Sequence, residues 1–166
     1  MHRKPPPRLE SSNYLGLHAY FLTICVEGRR QLFTDARLVA QVTVQLQQCS
    51  ERYECAVIAY CFMPDHVHLL IEGRSERSDF QEFVRVWKQR TAFAAKRDRG
   101  ITLWQRGYYE HVLRSDESTE QKARYLLENP VRARLVASPQ DYPWIGSLTT
   151  TVEDLLQRAQ DGAGPT

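Results

Sequence analysis

The stretch Cys55–Gly73 reads CAVIAYCFMPDHVHLLIEG, two apolar runs separated by Met63-Pro64-Asp65. Each run is rich in aliphatic and β-branched residues and short enough for a strand. Proline and aspartate between them break the first and begin a turn. The spacing predicts one strand over 55–62 and another over 66–72. In the second strand His66 and His68 stand two apart. Alternate side chains of a strand share a face, so both imidazoles project together while Val67 points the other way.

Outward from this hairpin, HAYFLTICV at 18–26 predicts a first strand. Leu38, Val39, Val42, Leu46 and Cys49 recur at helical spacing across 36–53. A second helix is expected from Asp79 to about Lys96, with Phe80, Phe83, Val84, Trp87 and Phe93 on its apolar side. LWQRGYYEHVLR at 103–114 predicts a fourth strand interrupted at Gly107. A third helix is expected over 115–128, with Ser118 and Gln121 at capping-box spacing and Pro130 limiting its end.

The order β-α-β-β-α-β-α predicts an α+β, ferredoxin-like (split βαβ) fold. Its antiparallel four-stranded sheet carries two helices on one face, with an additional C-terminal helix beyond them. Such a fold hosts RNA binders, metabolic enzymes and nucleases alike, so it assigns no function. The division expected is a flexible basic arm at 1–13, one compact domain at 14–145, and a tail at 146–166 ending in DGAGPT. PPP at 5–7 keeps the arm from helix.

The chain of 166 residues has a formal net charge of +2, which says little about partners. No apolar run has the length of a membrane span, and the start shows no apolar signal segment, so a cytoplasmic location is expected. Cys25, Cys49, Cys55 and Cys61 form no CxxC pair, which argues against a zinc ribbon and for free thiols.

A His-x-His pair on a strand suits a divalent ion, because two neutral imidazoles can converge on it; a third ligand must come from elsewhere. Alone the pair is as well explained as structural. In QKARYLLENPVR, Tyr125 and Asn129 are four apart and share a helical face, away from Leu126 and Leu127. Taken alone, these are an amphipathic boundary residue and a cap.

The combination is more specific. HVH on a strand and Tyr-x-x-x-Asn-Pro on a later helix resemble the HUH single-tyrosine transposases of the insertion-sequence-200-like group. Within that group they resemble the REP-associated tyrosine transposases. The likeness runs through AYFLTICVEGRRQLF, FMPDHVHLLIE, LWQRGYYEHVLR, ARYLLENPVRARLV and YPW at 142–144. Mobile members typically carry glutamine four residues after the tyrosine; asparagine followed by proline points to the REP-associated branch.

The resemblance implies that His66 and His68 hold a divalent metal, Mg²⁺ or Mn²⁺, with Asn129 as a third ligand. It implies that Tyr125 attacks a single-stranded DNA phosphodiester to leave a 5′-phosphotyrosine. The expected partner is single-stranded or hairpin DNA of the repetitive extragenic palindrome type. Asp65 and Glu110 are candidates for positions behind the ligands, while Glu110 and His111 receive no definite role.

Between Arg74 and Arg114 ten basic residues face five acidic ones, and Arg3, Lys4 and Arg8 precede the first acid. Beside aromatic side chains this predicts a DNA surface of Arg3, Lys4, Arg8, Lys88, Arg90, Trp104, Arg106 and Arg114. A rolling-circle initiator and a non-catalytic nucleic-acid-binding domain are the competing readings. Monomer and homodimer both remain open.

Overall fold

The computed structural model describes residues 15–161. Five strands form one antiparallel sheet in the order β4-β1-β3-β2-β5. They are β1 (Ala19–Cys25), β2 (Cys55–Met63), β3 (His66–Gly73), β4 (Tyr109–Val112) and β5 (Ile145–Gly146). The first four reproduce the expected ferredoxin-like arrangement. The two-residue β5 adds an edge on β2, pairing Tyr60 with Gly146 and Cys61 with Ile145.

Helices α1 (Ala36–Arg52) and α2 (Phe80–Arg99) cover one sheet face. Asp35 caps α1 by accepting from the Arg37 and Leu38 N–H groups at 2.8 and 3.2 Å. Asp79 caps α2 through the Glu82 N–H at 2.9 Å, and Gly100 ends it at φ 67°. Both devices satisfy terminal backbone groups that a helix cannot satisfy itself. Strand alternation supplies Leu22, Ile24, Val67, Leu69 and Ile71 to this core, where they meet Phe83 and Trp87. The Trp87 indole donates to the Val42 carbonyl at 3.1 Å and so ties the two helices together.

The opposite face is also covered. Helix α3 (Thr119–Leu127), capped by Ser118, lays Ala123, Leu126 and Leu127 on Ala59, Cys61 and Leu70. Helix α5 (Val152–Asp161) joins that layer through Leu155. The stretch 146–161, expected as tail, thus holds a strand residue and a helix packed on α3.

Two further differences matter. Pro130 does not end the helical region. A one-turn helix α4 (Asn129–Arg132) follows α3, with proline in its first turn, where no intrahelical N–H is needed. The fourth strand is only four residues long, and Trp104 touches β1 through a single bridge to Val26. Its indole turns into the α1/α2 core and donates to Thr91 Oγ1 at 2.8 Å, with the Phe33 and Trp87 ring centroids at 5.5 and 5.2 Å. After Gln105, whose N–H donates to the Cys25 carbonyl at 2.9 Å, the chain leaves the ladder until Tyr109, and Gly107 takes φ 77° on the way.

The cysteines are free, as expected. Burial pushes the Cys55 and Cys61 thiols up to about 12, where they are inert. No described helix is long and apolar enough to cross a membrane.

Candidate metal and nucleophile site

The hairpin turn at Pro64-Asp65 is pinned by two backbone bonds, Phe33 N–H to the Pro64 carbonyl and Val26 N–H to the Asp65 carbonyl. It aims Asp65 back at the first residue of β3. Asp65 Oδ1 accepts from His66 Nδ1 at 2.6 Å, and its other oxygen takes a 2.9 Å ion pair from Arg29 Nε. On β1, Thr23 lies opposite His68, and its hydroxyl meets His68 Nδ1 at 2.9 Å. Both Nδ1 atoms are therefore engaged, and the two Nε2 atoms converge at 3.0 Å.

That separation is a test of metal fit. Two ligand atoms about 2.1 Å from one ion and at right angles stand about 3 Å apart, the cis edge of an octahedron. A carboxylate on the far nitrogen also sets the tautomer that leaves Nε2 its lone pair. Burial, then the neighbouring His66 and the charge of Arg132, push the His68 imidazole down to about 3, so it stays neutral, as a ligand must. Histidine, histidine and an amide oxygen would accept Mg²⁺, Mn²⁺ or another divalent ion and leave it open positions. Among the described residues no third His, Cys, Asp or Glu completes the pair, so a further ligand from the described residues would be of another type.

His66 and His68 share the sheet face of Leu70, the face on which α3 lies. Tyr125 stands on the outer flank of α3, 54% exposed, as the packing of Leu126 and Leu127 requires. Phe21 lies between the two groups, its ring centroid 5.6 Å from that of His68 and 6.4 Å from that of Tyr125. Asn129 begins α4, and its amide nitrogen donates to the Leu126 carbonyl at 3.0 Å. An amide directed at a carbonyl must present its NH₂ end there, so its oxygen is the end left for a ligand.

The predicted DNA surface fares unevenly. Trp104 is 7% exposed and cannot stack on a base; it is a core residue. Lys88 Nζ donates to the Gln105 and Gly107 carbonyls at 3.1 and 2.7 Å, holding the loop before β4 rather than meeting solvent. Lys88 and Arg90 lie on α2, across the sheet from the histidines. Arg106 and Arg114 are exposed. Arg77, Arg85, Arg97 and Arg99 are ion-paired with Glu54, Glu82, Asp98 and Asp35; of these acids Glu54 and Asp35 come from outside 74–114 and reduce its basic excess only in part. Arg3, Lys4 and Arg8 lie outside the described residues.

Glu110 pairs with Leu22 in register and so belongs to the α1/α2 face, not behind the metal ligands. His111, opposite Phe21, is on the histidine face, bonded through Nε2 to Glu117 at 2.8 Å. Tyr109, one of the aromatic residues beside the basic cluster, lies opposite Thr23 on that face and is 51% exposed. The alternation of β4 carried the signal, since Tyr109 and His111 must share a side.

A family model for IS200-like transposases matches residues 15–129, the span from before β1 to Asn129. The chain belongs to the IS200-like transposase family. A Haemophilus influenzae protein named as a REP-associated tyrosine transposase is 28% identical over 141 residues, covering 75% of this chain and 77% of that one. A second H. influenzae protein is 25% identical over 162 residues, covering 79% and 90%. Among solved structures, a REP-associated tyrosine transposase bound to a REP hairpin aligns with TM-score 0.69 at 20% identity, over 86% of this chain and 82% of that chain. A Deinococcus radiodurans structure named as a transposase aligns with TM-score 0.50 at 22% identity, over 74% and 97%. These two likenesses bear on the fold, and the resemblance read from HVH and Tyr-x-x-x-Asn-Pro agrees with the family model and with the named H. influenzae relative.

Proposed function

We propose that this IS200-like transposase family member is a metal-dependent single-stranded DNA endonuclease and strand transferase. Its substrate is hairpin-forming DNA of the repetitive extragenic palindrome type, and Tyr125 is its nucleophile. The observation that carries the reading is the convergence of His66 and His68 Nε2 at 3.0 Å on the sheet face over which the Tyr125 helix lies. The name of the H. influenzae relative and the hairpin bound to the structural neighbour support the substrate class.

His66, His68 and Asn129 would hold Mg²⁺ or Mn²⁺. A divalent ion there withdraws charge from the non-bridging phosphate oxygens and makes phosphorus attackable. Every covalent change falls on Tyr125 and the DNA. The phenolic oxygen bonds to phosphorus as the phenol proton leaves to solvent. The P–O3′ bond breaks, and its oxygen takes a proton to become a 3′-hydroxyl. The phosphate stays on Tyr125 through its 5′ side. Phenolate leaves more readily than an alkoxide (tyrosine pKa is about 10), so a 3′-hydroxyl can reverse the step. Splitting one displacement into two this way is nucleophilic catalysis, and it conserves the strand for rejoining.

The test is labelled hairpin DNA with a single-stranded flank, incubated with Mn²⁺ and resolved for nicked strand and protein–DNA adduct. Tyr125→Phe removes both products, and His66→Ala removes both through loss of the ion. Nicking that survives Tyr125→Phe overturns the assignment. Binding without adduct in the unaltered protein would favour the non-catalytic reading instead.

A further inference from the structure

Arg132 follows Tyr125 by seven residues, about two helical turns, so α4 returns it over the tyrosine. Its guanidinium carbon lies 3.8 Å from the Tyr125 ring centroid. One Nη donates to the Tyr125 carbonyl at 2.5 Å. The other is 3.8 Å from Glu128, whose carboxylate is more tightly held by Arg124 at 2.7 Å. The Arg132 charge is thus only weakly matched.

Capping the end of α3 explains the bond to the carbonyl. It does not explain a guanidinium set 3.8 Å over the centre of a ring that is itself half exposed. The ring contact and the bond to the Tyr125 carbonyl hold the guanidinium beside the tyrosine, and a guanidinium has more N–H groups than that one bond uses. Guanidinium is weakly hydrated, always charged, and matched in shape to phosphate.

Building on Tyr125 as the nucleophile, we infer that Arg132 is a phosphate-binding residue of this site, holding the Tyr125 ring in place and donating to a non-bridging oxygen of the phosphodiester under attack. It keeps its proton throughout. The bond made is Tyr125 Oη to phosphorus, the bond broken is P–O3′, and Arg132 only offsets negative charge that grows on the phosphate oxygens between them. Donors fixed in advance where charge develops are worth most in the transition state.

The experiment measures single-turnover adduct formation with Mn²⁺, which accepts sulfur. The substrates are a hairpin with a normal scissile phosphate and its two stereodefined phosphorothioates. Arg132→Ala slows the normal substrate by about 10²–10³-fold and loses the penalty that the unaltered protein shows for one diastereomer. Arg132→Lys, which keeps charge without the fork, falls between. In hairpin binding, Arg132→Ala lowers the slope of log affinity against log salt by about 0.7. Equal slowing of all three substrates, with diastereomer preference intact, means a structural prop and overturns the inference. If Arg132→Ala does not fold, Arg132→Gln and Arg132→Lys carry the same comparison. If the unaltered protein forms no adduct, the nucleophile assignment itself fails. The salt slope then decides Arg132 alone, and an unchanged slope refutes it.

Discussion

Asp65 Oδ1 accepts a 2.6 Å hydrogen bond from Nδ1 of His66, the next residue in the chain. The bond sets which ring nitrogen faces the proposed ion. Asp65→Asn can turn its NH₂ to that nitrogen, place the proton on Nε2 and remove the lone pair. Mn²⁺ affinity should fall about 10–100-fold, measured by calorimetric titration without DNA. Affinity equal to that of the unaltered protein means that Asp65 does not orient the ligand.

Trp104 and Tyr109 should separate stability from binding. Trp104 is buried and hydrogen-bonded to Thr91, so Trp104→Ala should cost about 3–5 kcal/mol of stability in urea unfolding. Tyr109 is exposed beside Thr23, the neighbour of His68. Tyr109→Ala should leave the unfolding midpoint nearly unchanged and weaken single-stranded DNA binding by about 1–3 kcal/mol. The reverse pattern would return Trp104 to the DNA surface.

Glu117 is held down to about 2 by the Arg114 backbone N–H first, then by His111 and Lys122. A depressed carboxylate contributes stability that is full above its unfolded value, near 4.5, and is lost as pH falls toward 2. Thermal midpoints of Glu117→Gln and the unaltered protein should therefore differ at pH 6 and converge across that acid window. A constant gap at every pH excludes the linkage.

Leu155 is 4% exposed between α5 and α3. Leu155→Ala should cost about 2–5 kcal/mol by denaturant titration. It should also speed amide exchange in 119–127 more than in the β1–β3 ladder. Exchange that rises equally throughout would show that α5 does not brace the Tyr125 helix specifically.

The arm at 1–13 carries Arg3, Lys4 and Arg8. Deleting it should weaken hairpin affinity at low and moderate salt, by fluorescence anisotropy. An affinity that stays the same at both salt levels removes the arm from the interface.

The sheet and its first two helices were legible because their apolar periodicities run long, with Leu38, Val39, Val42, Leu46 and Cys49 on one helix and Phe80, Phe83, Val84 and Trp87 on the other. The HVH alternation likewise put both imidazoles on one side. Trp104 and Lys88 were misplaced for one physical reason. A run of basic and aromatic residues does not say which sheet face it meets, and only the core decides that an indole is worth burying and an ammonium worth spending on loop carbonyls. Helix α5 did leave a trace, since Val152, Leu155, Leu156 and Ala159 recur at helical spacing after Thr151. Arg132 left none, because its position over Tyr125 depends on proline continuing the helical path rather than closing it.

Strand β3 alternates two independent sets of side chains. Val67, Leu69 and Ile71 are wholly buried in the α1/α2 core, while His66 and His68 lie half-buried on the other side. A change at either histidine therefore removes no packing from the larger core. On the proposed function, a lineage would lose strand cutting in one substitution and keep a folded protein able to bind a hairpin, so catalysis and recognition would be separately heritable. His68→Asn should show it directly, as hairpin affinity retained at an unaltered melting temperature with no adduct formed.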